Sequence, residues 1–192
     1  MSEMTTPAVR ILDGVPAPAA GRWRIDPGHA EVGFVGRHLL FTKVRGRFRS
    51  LEGYVEVAPD PLDTVVEVTV DVASVDSGDV ARDDHLRSAD LFDVERFPTA
   101  TFRGRPRRWT GGTGTLTGEL TLKGVTRTVE LEVSALGVVA DPWGGERAIF
   151  SASGTLDRED WGLAWNMPLA GGGLLVSREI QLEIEVETLL DR

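Results

Sequence analysis

Apolar and polar residues alternate along most of this chain. Ile180, Leu182, Ile184 and Val186 take one parity, and Glu179, Gln181, Glu183, Glu185 and Glu187 take the other. Val66, Val68, Val70 and Val72 oppose Glu67, Thr69 and Asp71 in the same way. Leu116, Leu120 and Leu122 oppose Thr115, Thr117, Glu119 and Thr121, and Val129, Leu131 and Val133 oppose Thr128, Glu130 and Glu132. A strand sends successive side chains to opposite faces, so the pattern predicts half-buried strands, each with one wet face. Strands are expected at Trp23–Ile25 and Ala30–His38, as one element interrupted at Pro27-Gly28. Further strands are expected at Lys43–Ser50, Leu51–Val57, Val65–Val72, Thr99–Arg108, Thr113–Leu122, Thr126–Ala135 and Arg147–Asp157, with a last one through Ile180–Val186. Lys123-Gly124 reads as a hairpin turn.

One stretch breaks the alternation. From Asp79 to Phe102, Leu86, Leu91, Phe92, Val94 and Phe97 are spaced irregularly among charges, and Pro98 closes the run. This predicts one or two short helical turns that return to strand at Thr99, with Asp79 capping the first turn and Ser88 or Asp90 the second. A twisted sheet of about eight strands tends to close, because closure removes its edges. No helical layer is left to cover a flat sheet. The expected fold is therefore all-β: an eight-stranded antiparallel barrel with a short helical plug, a two-sheet sandwich being the alternative. Residues 21–190 form this barrel, and residues 1–20, with Pro7, Pro16 and Pro18, form a flexible N-terminal arm. Val9, Ile11 and Leu12 leave open that the arm drapes over the domain.

The inward positions are mostly Val, Leu, Ile, Phe and Gly. The larger side chains, Phe34, Phe48, Leu86, Leu91, Phe92, Phe97, Phe102, Trp161, Trp165 and Met167, gather near strand ends and in the plug. An apolar lumen with apolar gates suits a long hydrocarbon, whereas a filled barrel has no cavity at all.

Composition narrows the choices. The 192 residues carry a net charge of −9, which argues against sequence-independent nucleic-acid binding. It also argues against stable docking on an anionic membrane. The absence of cysteine excludes disulfides, thiol catalysis and zinc–thiolate sites. No run approaches the ~18 apolar residues of a membrane-spanning helix. The N-terminus lacks the basic start and apolar core of a secretory signal, so a cytoplasmic protein is expected. His29, His38 and His85 show no metal-ligand spacing, and no nucleophile–base set is legible. His38 shares the face of Val32 and Phe34, where it can donate a hydrogen bond to a lipid headgroup at the lumen mouth or be satisfied by backbone. The stripes Lys43/Arg45/Arg47/Arg49 and Arg103/Arg105/Arg107 pair with outer-face glutamates or meet an anionic headgroup.

Several stretches together resemble the YceI-like family. Trp23-Arg24-Ile25-Asp26-Pro27-Gly28-His29, then Val32-Gly33-Phe34 and His38, is similar to its opening, as is Val44-Arg45-Gly46-Arg47-Phe48. The plug, Arg82-Asp83-Asp84-His85-Leu86-Arg87-Ser88-Ala89-Asp90-Leu91-Phe92-Asp93 with Phe97-Pro98-Thr99-Ala100-Thr101-Phe102, carries its most specific signature. Gly118–Thr126 and Arg158–Leu163 supply two more. The resemblance implies a lipocalin-like barrel that binds a polyisoprenoid or similar amphiphile, such as an isoprenoid quinone, in its lumen for sequestration, storage or transport. No further cofactor and no metal are expected, and a homodimer stays open. The alternatives are an enzyme acting on such a lipid through His38 or His85, and a filled barrel working through protein–protein contacts.

Overall fold

A computed structural model of the chain describes residues 9–191 apart from Leu40 and Trp143. Its strands are β1 (Val9–Leu12), β2 (Val15–Pro18), β3 (Gly21–His38), β4 (Thr42–Phe48), β5 (Leu51–Val57), β6 (Val65–Asp71) and β7 (Val75–Asp76). They continue as β8 (Thr99–Thr110), β9 (Thr113–Leu122), β10 (Val125–Ala140), β11 (Glu146–Asp157) and β12 (Glu179–Leu190). One α-helix, α1 (Val80–Arg87), lies between β7 and β8.

The long strand β3 faces two partners in turn. Gly21–Arg24 pairs with Tyr54–Val57 of β5, and Val32–His38 pairs with Thr42–Phe48 of β4, so β4 and β5 together act as one stave. β6 and β7 are a second such stave, broken by a 3-10 turn at Val72–Ser74. β8 to β12 then follow as a simple antiparallel meander, and β12 returns to pair with β3 from Val35 back to Trp23. The result is a closed eight-stranded antiparallel barrel, all-β as the alternation implies.

Two irregularities set which side chains enter it. Val186 pairs with Ala30 and Thr188 with Ile25, so Asp26–His29 bulge out of β3. The bulge switches parity: Trp23 and Ile25 point inward before it, and Val32 and Phe34 after it. This is the structural form of the interruption expected at Pro27-Gly28. In β8 the register shifts between Pro106 and Arg108, which turns Trp109 to the interior. Proline cannot donate to the ladder, so Pro106 marks the place.

The described part of the expected N-terminal arm is a hairpin. Asp13 and Gly14 both take positive φ, 51° and 79°, the turn that joins two strands twisting in the same sense. β1 and β2 pair from Val9↔Pro18 to Leu12↔Val15. Arg10 donates to the carbonyls of Pro59 (2.7 Å) and Ala58 (2.8 Å), and Ala17 is buried. Leu12, Arg10 and Ala17 turn to the barrel and Ile11 to solvent. Residues 1–8 lie outside the described residues.

The plug is a single helix. The Asp79 carboxylate accepts from Arg82 N (2.9 Å) and caps its start. Ser88 ends it, and the chain then turns through Asp93 (φ 52°) toward β8. The Arg87 guanidinium donates to the Ala73 and Val75 carbonyls, which ties the helix to the frayed end of the β6/β7 stave.

Adjacent positions on β12 test this register. Ile184 lies on the interior wall and Glu185 is exposed. Ile184→Lys buries a charge with no partner and is expected to cost more than ~3 kcal/mol, whereas Glu185→Lys should stay within ~0.5 kcal/mol. Thermal melts of the two variants compare them directly, and equal melting temperatures would mean the register is wrong.

Candidate functional site

The interior is packed beneath α1 and again around Trp23, Val55, Val57 and Ala148, and a small cavity lies beside this second cluster. Along β6, Val66 and Val68 line a cavity, while Val70 and Val72 join the core beneath α1. That core gathers Val72, Val75, Phe92, Ala100 and Leu163 with Phe34, Phe48, Leu86, Leu91, Val94 and Leu122 around them. Phe48 sits at the centre of an aromatic run, 5.6 Å from Phe34 and 5.6 Å from Phe92 in tilted and edge-on contacts. The helix therefore covers a filled floor.

The cavity occupies the half of the barrel away from α1 and measures about 130 Å³. Ile25, Val55, Val66, Leu116, Leu131, Val133, Phe150, Ile184 and Val186 form its wall, which is almost entirely apolar. Phe102 and Trp109 add aromatic surface from β8. The position of Phe102 depends on two glycines. A Cβ on Gly104 or Gly118 would lie 2.6 Å from the Phe102 ring, so their absent side chains let the ring lie back against the wall. Gly46 seats Phe34 likewise, with 2.3 Å to the ring. The mouth of the cavity is covered by the β1–β2 hairpin through Arg10, Leu12, Ala17 and Pro18, beside Pro61 and Thr64.

Of the residues expected to line the lumen, only Phe102 lies on this wall. Phe34, Phe48, Leu86, Leu91 and Phe92 form or flank the floor. Phe97 packs its ring over the Lys123-Gly124 turn. Trp161 is buried and donates from Nε1 to the Leu120 carbonyl (3.1 Å). Trp165 stands edge-on to His85 with ring centres 4.4 Å apart, and Met167 is half exposed. His38 closes β3, half-buried, bridged through its backbone to Val176. His29 is bonded to Asp26 (3.0 Å). No group of three acidic or histidine side chains converges on a metal-sized site among the described residues.

Sequence reasoning missed Arg10, Leu12, Ala17, Pro18, Pro106 and Trp109 as cavity residues. The first four sit in a segment whose prolines masked a four-residue strand pair. Pro106 was the available signal for the bulge that brings in Trp109.

Outside the wall, several basic residues pair as the cross-strand alternative supposed. Arg47 reaches Glu31 (2.9 Å), Arg103 reaches Glu67 (2.7 Å) and Arg22 reaches Glu56 (2.7 Å). A tighter group lies at the β3 bulge. Arg147, 16% exposed, donates to Asp26 (2.6 Å), Asp141 (2.6 Å) and Glu187 (3.0 Å). Bonding to Arg147, then to His29 and the Gly28 amide, holds the Asp26 carboxyl down to about 2 from its ordinary 3.8, although burial opposes the shift. Bonding to Asp26 and then to Asp141 raises the Arg147 pKa.

Comparison with known proteins places this barrel. The model of the YceI-like domain matches residues 23–188. The chain belongs to the YceI-like domain family. A UPF0312 protein of Pseudomonas paraeruginosa is 38% identical over 160 residues, 83% of this chain and 81% of that one. Among solved structures, Burkholderia cenocepacia BcnA superposes with a TM-score of 0.72 at 23% identity, covering 85% of this chain and 98% of that one. A polyisoprenoid-binding domain from Saccharophagus degradans, implicated in plant cell wall breakdown, superposes with a TM-score of 0.67 at 15% identity over 90% and 99% of the two chains. At these identities the two structures speak for the fold. The YceI-like match starts at residue 23, after the β1–β2 hairpin that covers the cavity.

Arg147→Met tests the ion cluster at the bulge. It leaves three carboxylates without their shared cation and is expected to cost about 2–4 kcal/mol in urea unfolding at pH 7. Because the folded pKa of Asp26 is depressed, the stability it contributes is complete above about pH 4 and is lost as pH falls toward 2. The gap between wild type and variant should narrow over that window. A gap independent of pH would remove Asp26 from the account.

Proposed function

We propose that this chain binds an isoprenoid or similar amphiphilic lipid in its barrel lumen and serves to sequester, store or carry it. The observation that carries the reading is the apolar cavity inside a closed barrel, with a wall of aliphatic and aromatic side chains and a mouth that a short hairpin covers. Water gains little in such a space, whereas a hydrocarbon gains roughly 25 cal/mol for each Å² it removes from water. Phe102 and Trp109 contact the tail, and the phenylalanine floor under α1 stops it. Membership in the YceI-like family supports lipid binding over catalysis, and the solved polyisoprenoid-binding domain of similar fold supports an isoprenoid tail.

Size sets a condition. A cavity of about 130 Å³ is below the ~300–1,000 Å³ of ordinary ligand pockets and close to the ~150 Å³ that accepts benzene. One isoprene-sized fragment fits with the mouth covered. A longer tail needs more room at the mouth, which lies beside the β1–β2 hairpin and its two Arg10 bonds.

Native mass spectrometry of the purified protein, followed by organic extraction, tests the reading. A co-purifying lipid, or uptake of added geranylgeraniol, is expected. Ala152→Phe places a ring in the cavity at a cost of about 1–3 kcal/mol and should abolish uptake while the barrel still melts cooperatively. Equal uptake by the filled variant would show that the lipid binds elsewhere.

A further inference from the structure

The β1–β2 hairpin brings a cation to an apolar mouth. Arg10 lies on the cavity lining, and its two Nη groups each donate one bond to a backbone carbonyl, Pro59 and Ala58. Its Nε is buried with no hydrogen-bond partner. No carboxylate among the described residues pairs with it. Burial alone shifts its pKa, downward, whereas the outer-face Arg22 and Arg47 are raised by paired glutamates. Guanidinium remains charged at any working pH. The fold therefore holds a positive charge, with a spare donor, against hydrocarbon surface.

An unpaired donor buried in an apolar site carries a desolvation cost, and a charge carries more. Two other guanidinium groups with little exposure differ from it in having carboxylates nearby, although Arg158 shares with it a buried, unpartnered nitrogen, Nη2. Arg147 holds three carboxylates, and Arg158 donates to the Leu163 and Ser177 carbonyls that anchor the 163–177 loop. Arg10, like Arg158, has carbonyl partners only, but no carboxylate raises its pKa against burial as Glu159 and Asp157 do for Arg158, so its charge is oriented without being neutralised. A planar, pre-oriented guanidinium with a free Nε–H matches a carboxylate or phosphate oxygen.

We propose that Arg10 is a specificity-determining residue: with the β1–β2 hairpin in place, it selects amphiphiles with an anionic head at the lumen mouth over neutral ones of the same tail. The proposal rests on the lumen-binding reading above and adds the head to it. The tail enters among Ile25, Val55, Val57 and Val66, and the head stays at the rim, where Pro61 and Thr64 border Arg10. The hairpin lies before the residues matched to the YceI-like domain, so the preference is carried by residues outside that match.

Isothermal titration of the full chain with geraniol, geranic acid and geranyl phosphate tests it. The three share a tail and differ in head, and the two anions distinguish a carboxylate from a phosphate as the better fit. Wild type should bind at least one anion about tenfold more tightly than geraniol, the scale of one charge-assisted hydrogen bond. Arg10→Met keeps the length of the side chain and removes its charge, and should bring that ratio close to one while geraniol binding stays within about twofold. Arg10→Lys should retain part of the preference, because the charge remains but the planar fork is lost. Retained geraniol binding also certifies that each variant has an intact lumen. Wild type binding all three ligands equally, or an Arg10→Met ratio unchanged from wild type, overturns the head proposal and leaves lumen binding standing. Failure of wild type to bind any of the three overturns both.

Discussion

Pairing of β12 with β3 is the constraint on which the rest of this protein depends. Without it the sheet would be an open meander with two long edges, and its apolar face would need a second layer that the chain does not encode. With it, Ile180, Leu182, Ile184 and Val186 share an interior with Val32 and Phe34, and every inward parity in the molecule gains a common destination. The bulge at Asp26–His29 is part of the same closure, because the register of β3 against β12 shifts there. Arg147 gathers the carboxylates of that bulge, of the β10–β11 loop and of β12 at one point.

Closure creates one volume, and the two ends of the chain's short elements divide it. The segment between β7 and β8 lays α1 across one end and sends Phe92 into the floor against Phe48. Toward the other end Trp23, Val55, Val57 and Ala148 pack together, and the β1–β2 hairpin covers the small space left beside them. Glycines decide how much space remains. With a side chain at Gly104 or Gly118, the Phe102 ring would be pushed from the wall into the lumen. The void is therefore a product of residues that are missing their side chains as much as of those that line it.

The hairpin also changes how the barrel is to be understood. The shared YceI-like barrel runs from residue 23 to 188, and it accounts for the wall and the floor. The cover, and the charge it carries in Arg10, come from outside that match. Selectivity in such a protein need not reside in the wall, which offers a hydrocarbon tail dispersion and burial but little discrimination. Discrimination requires a polar group whose loss of water must be made good, and the cover supplies one.

Alternation by itself determined most of the barrel strands, their inward faces between bulges and the all-β class, because a period of two is a local property of an extended backbone and leaves its record in Val66–Val72 and Ile180–Val186 alike. The helical break after Asp79 was equally legible, since a capping carboxylate followed by irregular apolar spacing is also local. The sequence could not say which inward residues meet one another. Phe34, Phe48 and Phe92 come from three separate segments, and whether they gate a channel or fill a floor depends on the distances left after closure. Nor could it show that Arg10 and Leu12, in a proline-rich segment at the start, reach across to Ala58, Pro59 and the cavity, some fifty positions on. Local pattern sets the direction in which a side chain leaves its own strand. Only the tertiary structure decides what it finds there, because packing joins residues that the chain keeps far apart.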